Sequence, residues 1–431
     1  MKHKILKYSA VCSGLLLAFS AHAIEEGFSY HGYAKGGIGI TNDDKLSTGG
    51  YAWANNGMNI FRLDGNTYTN SSGGRLGNEA NWLEMHTAYG WAMKNDMNWA
   101  VKANIVYGEE LALDELFVQG SGVIPSNPSA TVWAGKRYYN RVETFLTDSQ
   151  SMSNDGLGFG MDNYDLGFGK FHLGLTRNLY DESPDTAEMI AFTSSITGIQ
   201  LAENLEWGVY ANYGSLMGPD KDTAKQSLPE DAFQVATKFR YGDWSSYDEL
   251  FIRYSSNANG SMTRSWNPEP QHQIGGFWQG YKELTENLRL SYIWQHETEK
   301  HDEESRSRNG VSYLESNWNA FVVRPSYVWS ERWSTELEAG YEMIDFKEVN
   351  PNDDGTNSGY KITLAQNLHI GSGFWDRPVI RFFVTYAEQD NEISKAQDWY
   401  QDADGNWMSS PSNPLGKSDA LTFGAQFEAW W

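Results

Sequence analysis

The sequence has almost no cysteine, no long apolar run and few basic residues. Its single cysteine is Cys12, and nowhere do about 18 apolar residues follow one another. The missing run excludes a transmembrane helix but leaves open membrane strands of about 9–11 residues. The 33 Lys and Arg residues face 56 Asp and Glu residues, for a net charge of −23, so we do not expect a nucleic-acid partner.

The first 23 residues have the pattern of a secretory signal peptide. Three lysines precede an apolar run, and Ala21 and Ala23 supply the small residues of a cleavage site, so we predict cleavage before Ile24. Cys12 lies inside this segment, in a context that fits poorly with a lipoprotein cleavage box. The mature chain should therefore contain no cysteine and no disulfide.

Aromatic residues and glycine are abundant. The chain has 18 Trp, 24 Tyr and 20 Phe, and 42 glycines against 12 prolines, a balance that a soluble acidic secreted protein rarely shows. A transmembrane β-barrel needs aromatic girdles at both interfaces, and its closed sheet satisfies every backbone hydrogen bond within lipid. Because no linker or shift in composition interrupts residues 24–431, we predict one all-β antiparallel barrel domain of about 16 to 18 strands.

Apolar and polar residues alternate with a period of two in four segments, 28–40, 82–89, 377–386 and 421–431. In the last of these, one face contains Leu421, Phe423, Phe427 and Trp431, and the other contains Thr422, Gln426, Glu428 and Trp430. The polar faces are too charged for a narrow packed core, so we predict a water-filled lumen. We also predict loops in the polar stretches 66–75, 301–310, 350–359 and 402–414.

Motifs for metal binding and catalysis are weak. Asp402, Asp404 and Asn406 have the first spacing of a calcium loop, but the glycine is misplaced and the bidentate glutamate is missing. The sequence has no G-x-S-x-G, H-E-x-x-H or phosphate-loop motif. We therefore predict no metal, no cofactor and no enzymatic activity.

Four aromatic residues are predicted to lie on the same strand face as polar residues, a property called parity below: Tyr33, Trp82, Trp375 and Trp430. Girdle rings must face lipid, so these four do not fit a girdle. A ring in a wet pore suits a sugar, whose apolar face packs on the ring while its hydroxyls meet charged groups. Parity alone does not decide whether these four rings form a track for saccharides or are ordinary lumen residues.

Seven segments spread over the chain resemble the maltoporin family of sugar porins. They are HGYAKGGIG (31–39), RLGNE (75–79), WAGKRYYNR (133–141), NYDLGFGK (163–170), YKITLAQ (360–366), RPVIRFFVTYA (377–387) and LTFGAQFEAWW (421–431). The resemblance implies an 18-stranded, homotrimeric outer-membrane barrel. It also implies a constriction loop folded into each pore and a line of aromatic rings, the greasy slide, that guides oligosaccharides.

When the slide residues of the family are matched to this sequence position by position, the resemblance implies that the same four rings form the slide. Phe233 also aligns with a slide position, although it alternates with Val235 and Phe239. The implied polar track consists of Lys35, Arg75, Glu84, Arg141, Glu143 and Asp148. The alternative for each of these charges is an ordinary lumen residue that tunes ion flow.

Three departures from the family pattern bear on specificity. Gln150 stands where the family has the tyrosine that narrows its constriction, so the narrowest point should have a different shape. Residues 107–116 form a shortened loop without the tryptophan that the family supplies to a neighbouring subunit, and Ala80 replaces a loop cysteine. These changes make maltodextrin preference uncertain, while sugar permeation is still expected.

We thus predict an outer-membrane sugar porin for passive diffusion of di- or oligosaccharides. A general diffusion porin without sugar selectivity is the main alternative, although its PEFGG-type constriction motif is missing. An outer-membrane hydrolase barrel would need a catalytic cluster, which we do not find in the sequence. The expected partners are sugar, membrane lipid and lipopolysaccharide, and a role of the surface loops as a phage or adhesin receptor stays open.

Overall fold

The computed structural model describes residues 24, 26–42, 61–66, 71–93, 96–108, 111–178, 188–219, 221–225, 228–243, 245–263, 269–309, 311, 313–350, 353–371, 373–393, 397–401, 407–411 and 416–431. Structural statements below concern these residues. The predicted signal peptide, residues 1–23, and the calcium-like spacing at 402–406 lie outside them.

Most of the described residues are in β-strands. The strands are β1 Gly27–Thr41, β2 Trp82–Ala92, β3 Asn98–Tyr107, β4 Leu111–Ser121, β5 Thr131–Arg137, β6 Val142–Glu143, β7 Gln150–Met152, β8 Gly156–Asp165, β9 Lys170–Arg177, β10 Glu188–Ala202, β11 Leu205–Met217, β12 Asp231–Gly242, β13 Tyr247–Ser256, β14 His272–Glu283, β15 Leu288–Lys300, β16 Glu315–Val328, β17 Trp333–Asn350, β18 Asp353–His369, β19 Val379–Asn391, β20 Gln397–Gln401, β21 Trp407–Pro411 and β22 Gly416–Trp430. Two short helices are α1 Lys221–Ala224 and α2 Glu303–Asn309. Among the described residues, neither helix is both long and apolar enough to cross a membrane.

Eighteen of these strands form one closed antiparallel ring. The ring consists of β1–β5, β8–β19 and β22, each paired with its neighbours, and the pairing of β1 with β22 closes it. β6 pairs only with β7, and β20 only with β21, within the described residues. The predicted all-β antiparallel barrel of 18 strands is confirmed.

The alternating pattern separates an apolar outer face from a polar inner face. On β22, Phe423 and Phe427 are exposed while Gln426 and Glu428 are buried. On β19 the same rule holds, because Phe382 is 53% exposed whereas Arg381, the next residue, is buried. Successive side chains of a strand point to opposite faces, so the apolar side chains of the barrel face outward and the polar side chains face inward.

Three predicted loops contain regular structure instead, and one of them is 402–414, in which β21 occupies Trp407–Pro411. The stretch 350–359 was predicted as a loop, but β17 extends to Asn350 and β18 begins at Asp353. Backbone ladder bonds do not need apolar side chains, so a polar hairpin can extend a barrel strand beyond the membrane. Within 301–310, α2 begins after Asp302, whose Oδ1 accepts a 2.8 Å hydrogen bond from the Ser305 backbone N–H as a helix cap does.

The chain between β1 and β2 packs on the inner face of the barrel. Leu76 is buried against Ala365 of β18 and Phe383 of β19, both on the polar side of their strands. The Gly77 backbone N–H donates to Gln426 Oε1 of β22 at 2.6 Å. We call the described part of this connection, residues 61–66 and 71–80, the first inner segment.

Candidate functional site

Two rows of rings and charges cross β22, β1 and β2 on the inner face, and on each strand one row holds a ring where the other holds a charge. The first row contains Trp430, Tyr33 and Glu84, and the second contains Glu428, Lys35 and Trp82. Within each row the three Cα positions are directly paired, and the rows are two residues apart, about 7 Å along the strands. Five of these six residues were predicted, from sequence and resemblance, to belong to the site.

Arg75 of the first inner segment contacts both rows. Its Nη2 donates to Tyr33 Oη at 2.7 Å and lies 3.1 Å from Glu428 Oε1. Its Nε donates to Glu79 Oε1 at 2.7 Å. Charge-assisted bonds of this kind hold the guanidinium in one geometry, so Arg75 has a fixed orientation toward the aromatic row.

Lys35 connects the rows to the chain between β5 and β8. Its Nζ donates to Glu79 Oε1 at 2.9 Å and to Asp148 Oδ2 at 2.6 Å. Burial alone would raise the pKa of Asp148, but the charges of Lys35 and Arg75 lower it below its usual range. Asp148 is therefore an ionised acceptor at neutral pH.

Trp430 lies beneath a cation that the sequence prediction did not include. The Arg377 guanidinium carbon is 4.4 Å from the centre of the Trp430 ring, and Arg377 Nε donates to Glu428 Oε2 at 2.8 Å. Arg381 Nη2 donates to the same carboxylate oxygen at 3.1 Å. Parity places Arg377 and Glu428 on the polar face, and the pairing of β19 with β22 brings these two residues into contact.

Trp82 and Glu84 form a second local pair. The indole Nε1 of Trp82 donates to Glu84 Oε1 at 2.8 Å, and His86 Nε2 lies 3.1 Å from Glu84 Oε2. The bond orients the Trp82 ring beside a carboxylate, which is the combination that a sugar ring and its hydroxyls require.

The chain between β5 and β8 supplies the other charges. We call residues 138–155 the second inner segment. Arg141 binds Asp155 with both Nε and Nη2, the latter at 2.6 Å from Oδ2, and its Nη1 is 3.4 Å from Glu143 Oε1. Gln150 Nε2 donates to the same Glu143 oxygen at 3.4 Å. Arg141, Glu143 and Gln150 are thus neighbours.

Glu143 has a pKa close to neutrality. Burial raises the pKa of its carboxyl to about 7; Arg141 opposes this rise, and the negative charges of Asp148 and Glu84 add to it. Since both carboxylates affect Glu143, the polar residues of the second inner segment and of β2 belong to one electrostatic site.

Trp375 occupies a less open position than the predicted slide requires. It is only 6% exposed and packs edge-on against Phe145, with ring centres 5.1 Å apart, and against Phe374 at 4.4 Å. Phe374 also stacks on Tyr281 at 4.2 Å. Phe145 and Phe374 are ring contacts that the sequence analysis missed, because no alternation marks either residue.

The second inner segment also contacts distant barrel strands. The Phe145 backbone N–H donates to Gln279 Oε1 of β14 at 3.2 Å, and Thr147 Oγ1 donates to Gln295 Oε1 of β15 at 2.6 Å. Arg253 of β13 donates to the Ser151 carbonyl. These strands are separated from β8 by β9 to β12 in the ring.

Phe233 does not join the site. It is 43% exposed and alternates with Gln234, which is fully buried and donates to the Asn259 carbonyl at 2.8 Å. Phe233 therefore lies on the outer face, and its inclusion in the slide was wrong. The alternation that places Phe233 on the same strand face as Val235 predicted its position better than its match to a slide position of the family.

The family model of the LamB porins matches residues 28–431, nearly the whole chain. The chain belongs to the LamB porin family. The resemblance to maltoporins is thereby confirmed, and this LamB porin is an outer-membrane diffusion channel. Membership also points to passive transport rather than to catalysis.

Several solved structures are similar to this LamB porin at low identity. OmpF of Salmonella typhi, in complex with daunomycin, has 9% identity and a TM-score of 0.46, and the match covers 93% of this chain and 97% of that one. OccD3 (OpdP) of Pseudomonas aeruginosa has 10% identity and a TM-score of 0.46, with 95% and 93% covered. OmpT of Vibrio cholerae, in its trimer form, has 10% identity and a TM-score of 0.40, with 94% and 100% covered.

Proposed function

We propose that this LamB porin is a sugar-selective channel for di- or oligosaccharides. The observation that supports the proposal most directly is the pair of rows across β22, β1 and β2, in which Trp430, Tyr33 and Trp82 alternate with charged side chains. A general diffusion pore sieves by size and charge, whereas a pyranose packs its apolar face on a ring and binds charged groups through its hydroxyls.

The rows suggest how sugar would be bound and released. The apolar face of a pyranose packs on Trp430, Tyr33 or Trp82, and its hydroxyls bind the oxygens of the partly exposed Glu84 rather than those of the buried Glu428. Glu84 already accepts a hydrogen bond from Trp82. Sugar hydroxyls therefore compete with existing partners, which keeps each site weak enough for exit as conduction requires.

We infer that the second inner segment lies inside the barrel and forms its constriction. It binds β1 through Asp148 and Lys35, and β14 and β15 through Phe145 and Thr147. All of these wall groups are on the polar face, so a segment that reaches both sets passes through the interior. Its Glu143 and Gln150 would then border the narrowest point.

A homotrimer and bound outer-membrane lipid are the expected setting of such a channel, on the basis of family membership. Roles of lipopolysaccharide and of phage stay predictions.

Current through the purified protein in a planar lipid bilayer tests the proposal. Maltotriose, sucrose and a β-glucoside are titrated separately while the open-channel current is recorded. We expect concentration-dependent block by at least one of them, which would identify its preference. Current that is indifferent to all three sugars would favour the general diffusion porin and contradict the aromatic track.

A further inference from the structure

Glu338 of β17 is a fully buried carboxylate with three different donors. Its Oε1 accepts the Leu76 backbone N–H at 2.9 Å and Lys361 Nζ at 2.8 Å. Its Oε2 accepts Arg324 Nε at 2.8 Å. A buried carboxylate is stable only with such partners, and here one of the three is the backbone of the first inner segment.

The same cluster also holds the carbonyl of Leu76. Lys361 Nζ donates to it at 2.8 Å and Thr363 Oγ1 at 3.0 Å. Both backbone polar groups of one residue are therefore bound by wall side chains of β17 and β18. An inner segment fixed at one peptide in this way cannot slide along the wall without leaving buried polar groups unpaired.

The backbone approaches Glu338 too closely for an ordinary side chain. Gly74 has a φ of +98°, and a Cβ at this position would lie 2.5 Å from the Glu338 carboxyl carbon. Gly77 has a φ of +63°, where a Cβ would lie 2.5 Å from Thr385 Oγ1. Two glycines thus permit the close contact on either side of the bound peptide.

Arg75 lies between these contacts and faces the opposite way. Its side chain reaches Tyr33, Glu79 and Glu428, as described above. Its backbone N–H donates to the Leu146 carbonyl of the second inner segment at 3.0 Å. The wall cluster therefore fixes a residue that contacts both rows and the second inner segment.

We propose that Glu338 is a positioning residue for the sugar site, acting through Leu76 to set the place of Arg75 against the aromatic rows. Together with Lys361 and Arg324 it anchors the first inner segment, in a chain whose only cysteine is Cys12. The anchoring stands on its own contacts; the consequence for sugar rests on the proposed function.

The test measures the anchor and the sugar site separately. Ser72, a fully buried residue of the first inner segment, is replaced by cysteine as a nearly isosteric reporter. Labelling by a charged methanethiosulfonate reagent is followed in detergent-purified protein, and sugar block is measured in planar bilayers. Glu338→Gln removes the negative charge, whereas Lys361→Met removes a donor to the Leu76 carbonyl and leaves the Arg324–Glu338 pair in place.

A buried glutamate outside the cluster provides the matched control. Glu299 of β15 is 3% exposed and accepts hydrogen bonds from Tyr313 and Ser316. Glu299→Gln removes one buried charge of the same kind from the wall. Heat-dependent mobility in gel electrophoresis confirms for every variant that the barrel is folded.

We expect Glu338→Gln and Lys361→Met to speed labelling of the reporter by about tenfold, because the segment detaches locally more often. Both variants should also weaken sugar block, with the Glu299→Gln control close to wild type in both measurements. Labelling unchanged in both cluster variants would overturn the anchor. Faster labelling with unaltered sugar block would overturn the positioning of Arg75.

The two proposals can fail separately. If the wild-type channel is blocked by no sugar, the proposed function fails, while faster labelling in Glu338→Gln still demonstrates the anchor. If the wild type is blocked by sugar and labelling does not change, the sugar function stands and the role of Glu338 is refuted.

Discussion

The two adjacent tryptophans at the end of β22 allow a sharp test of the aromatic site. Trp430 lies on the inner face below Arg377, whereas Trp431 is 47% exposed and packs beside Tyr30 with ring centres 5.8 Å apart. The two residues have the same side chain, are neighbours in sequence and face opposite sides of the barrel. Trp430→Ala and Trp431→Ala are therefore matched variants.

The expected magnitude follows from ring packing. A ring contact contributes on the order of 1 kcal/mol, so removing the Trp430 ring should raise the dissociation constant for the blocking sugar about fivefold. Salt conductance should stay the same or rise, because a large side chain leaves the pore and no charge is lost. Trp431→Ala should leave sugar binding unchanged, since its ring is on the outer face.

Titration with sugar, while current is recorded through single channels or through many channels in a planar bilayer, measures both quantities at once. The dissociation constant comes from the concentration that halves the current, and the conductance comes from the sugar-free trace. Equal shifts in the two variants would mean that the effect comes from barrel closure rather than from contact with sugar. An unchanged dissociation constant in Trp430→Ala would refute the slide at this position.

Three further predictions concern Trp82, Glu143 and Gln150. Trp82→Ala should weaken sugar block about fivefold with conductance preserved, and the same titration checks it. Because the pKa of Glu143 is raised to about 7, its carboxyl is mostly neutral at pH 6 and mostly charged at pH 8. The selectivity of the channel for cations should therefore rise with pH. Reversal potentials in a salt gradient should show this rise in the wild type but not in Glu143→Gln. Gln150→Tyr should narrow the constriction and lower single-channel conductance, and a conductance equal to that of the wild type would place Gln150 away from the narrowest point.

The strands were predictable because alternation is a local property. The outward set of β22 and the inward set that includes Trp430 follow from counting by two, and the closed ring then follows from the need to pair every edge. The polar end of β18 was not predictable in this way. Residues 353–359 are held in the strand by backbone pairing with β17 and β19, which leaves no apolar signal in the sequence.

For the site, the sequence predicted only which face of its strand each residue occupies. Parity and resemblance placed Tyr33, Lys35 and Trp430 on the lumen side; Tyr33 pairs directly with Trp430, and Lys35 follows two residues further along β1. Alternation assigns faces but does not fix which residues of neighbouring strands meet, so the sequence did not show that Arg377 covers Trp430. It also did not show that Phe145, far from Trp375 in sequence, packs against that ring.

The pairing of β1 with β22 has a consequence for biogenesis. Tyr33 meets Trp430 only when these two strands join, and Gly32 and Trp431 then exchange two backbone hydrogen bonds of 3.2 Å at the seam. An open sheet would still pair Tyr33 with Glu84 through β1 and β2 but would leave Trp430 at the opposite edge. The first row is therefore complete only after β1 and β22 have joined, so under the proposed function sugar block would report that an individual barrel has been sealed correctly.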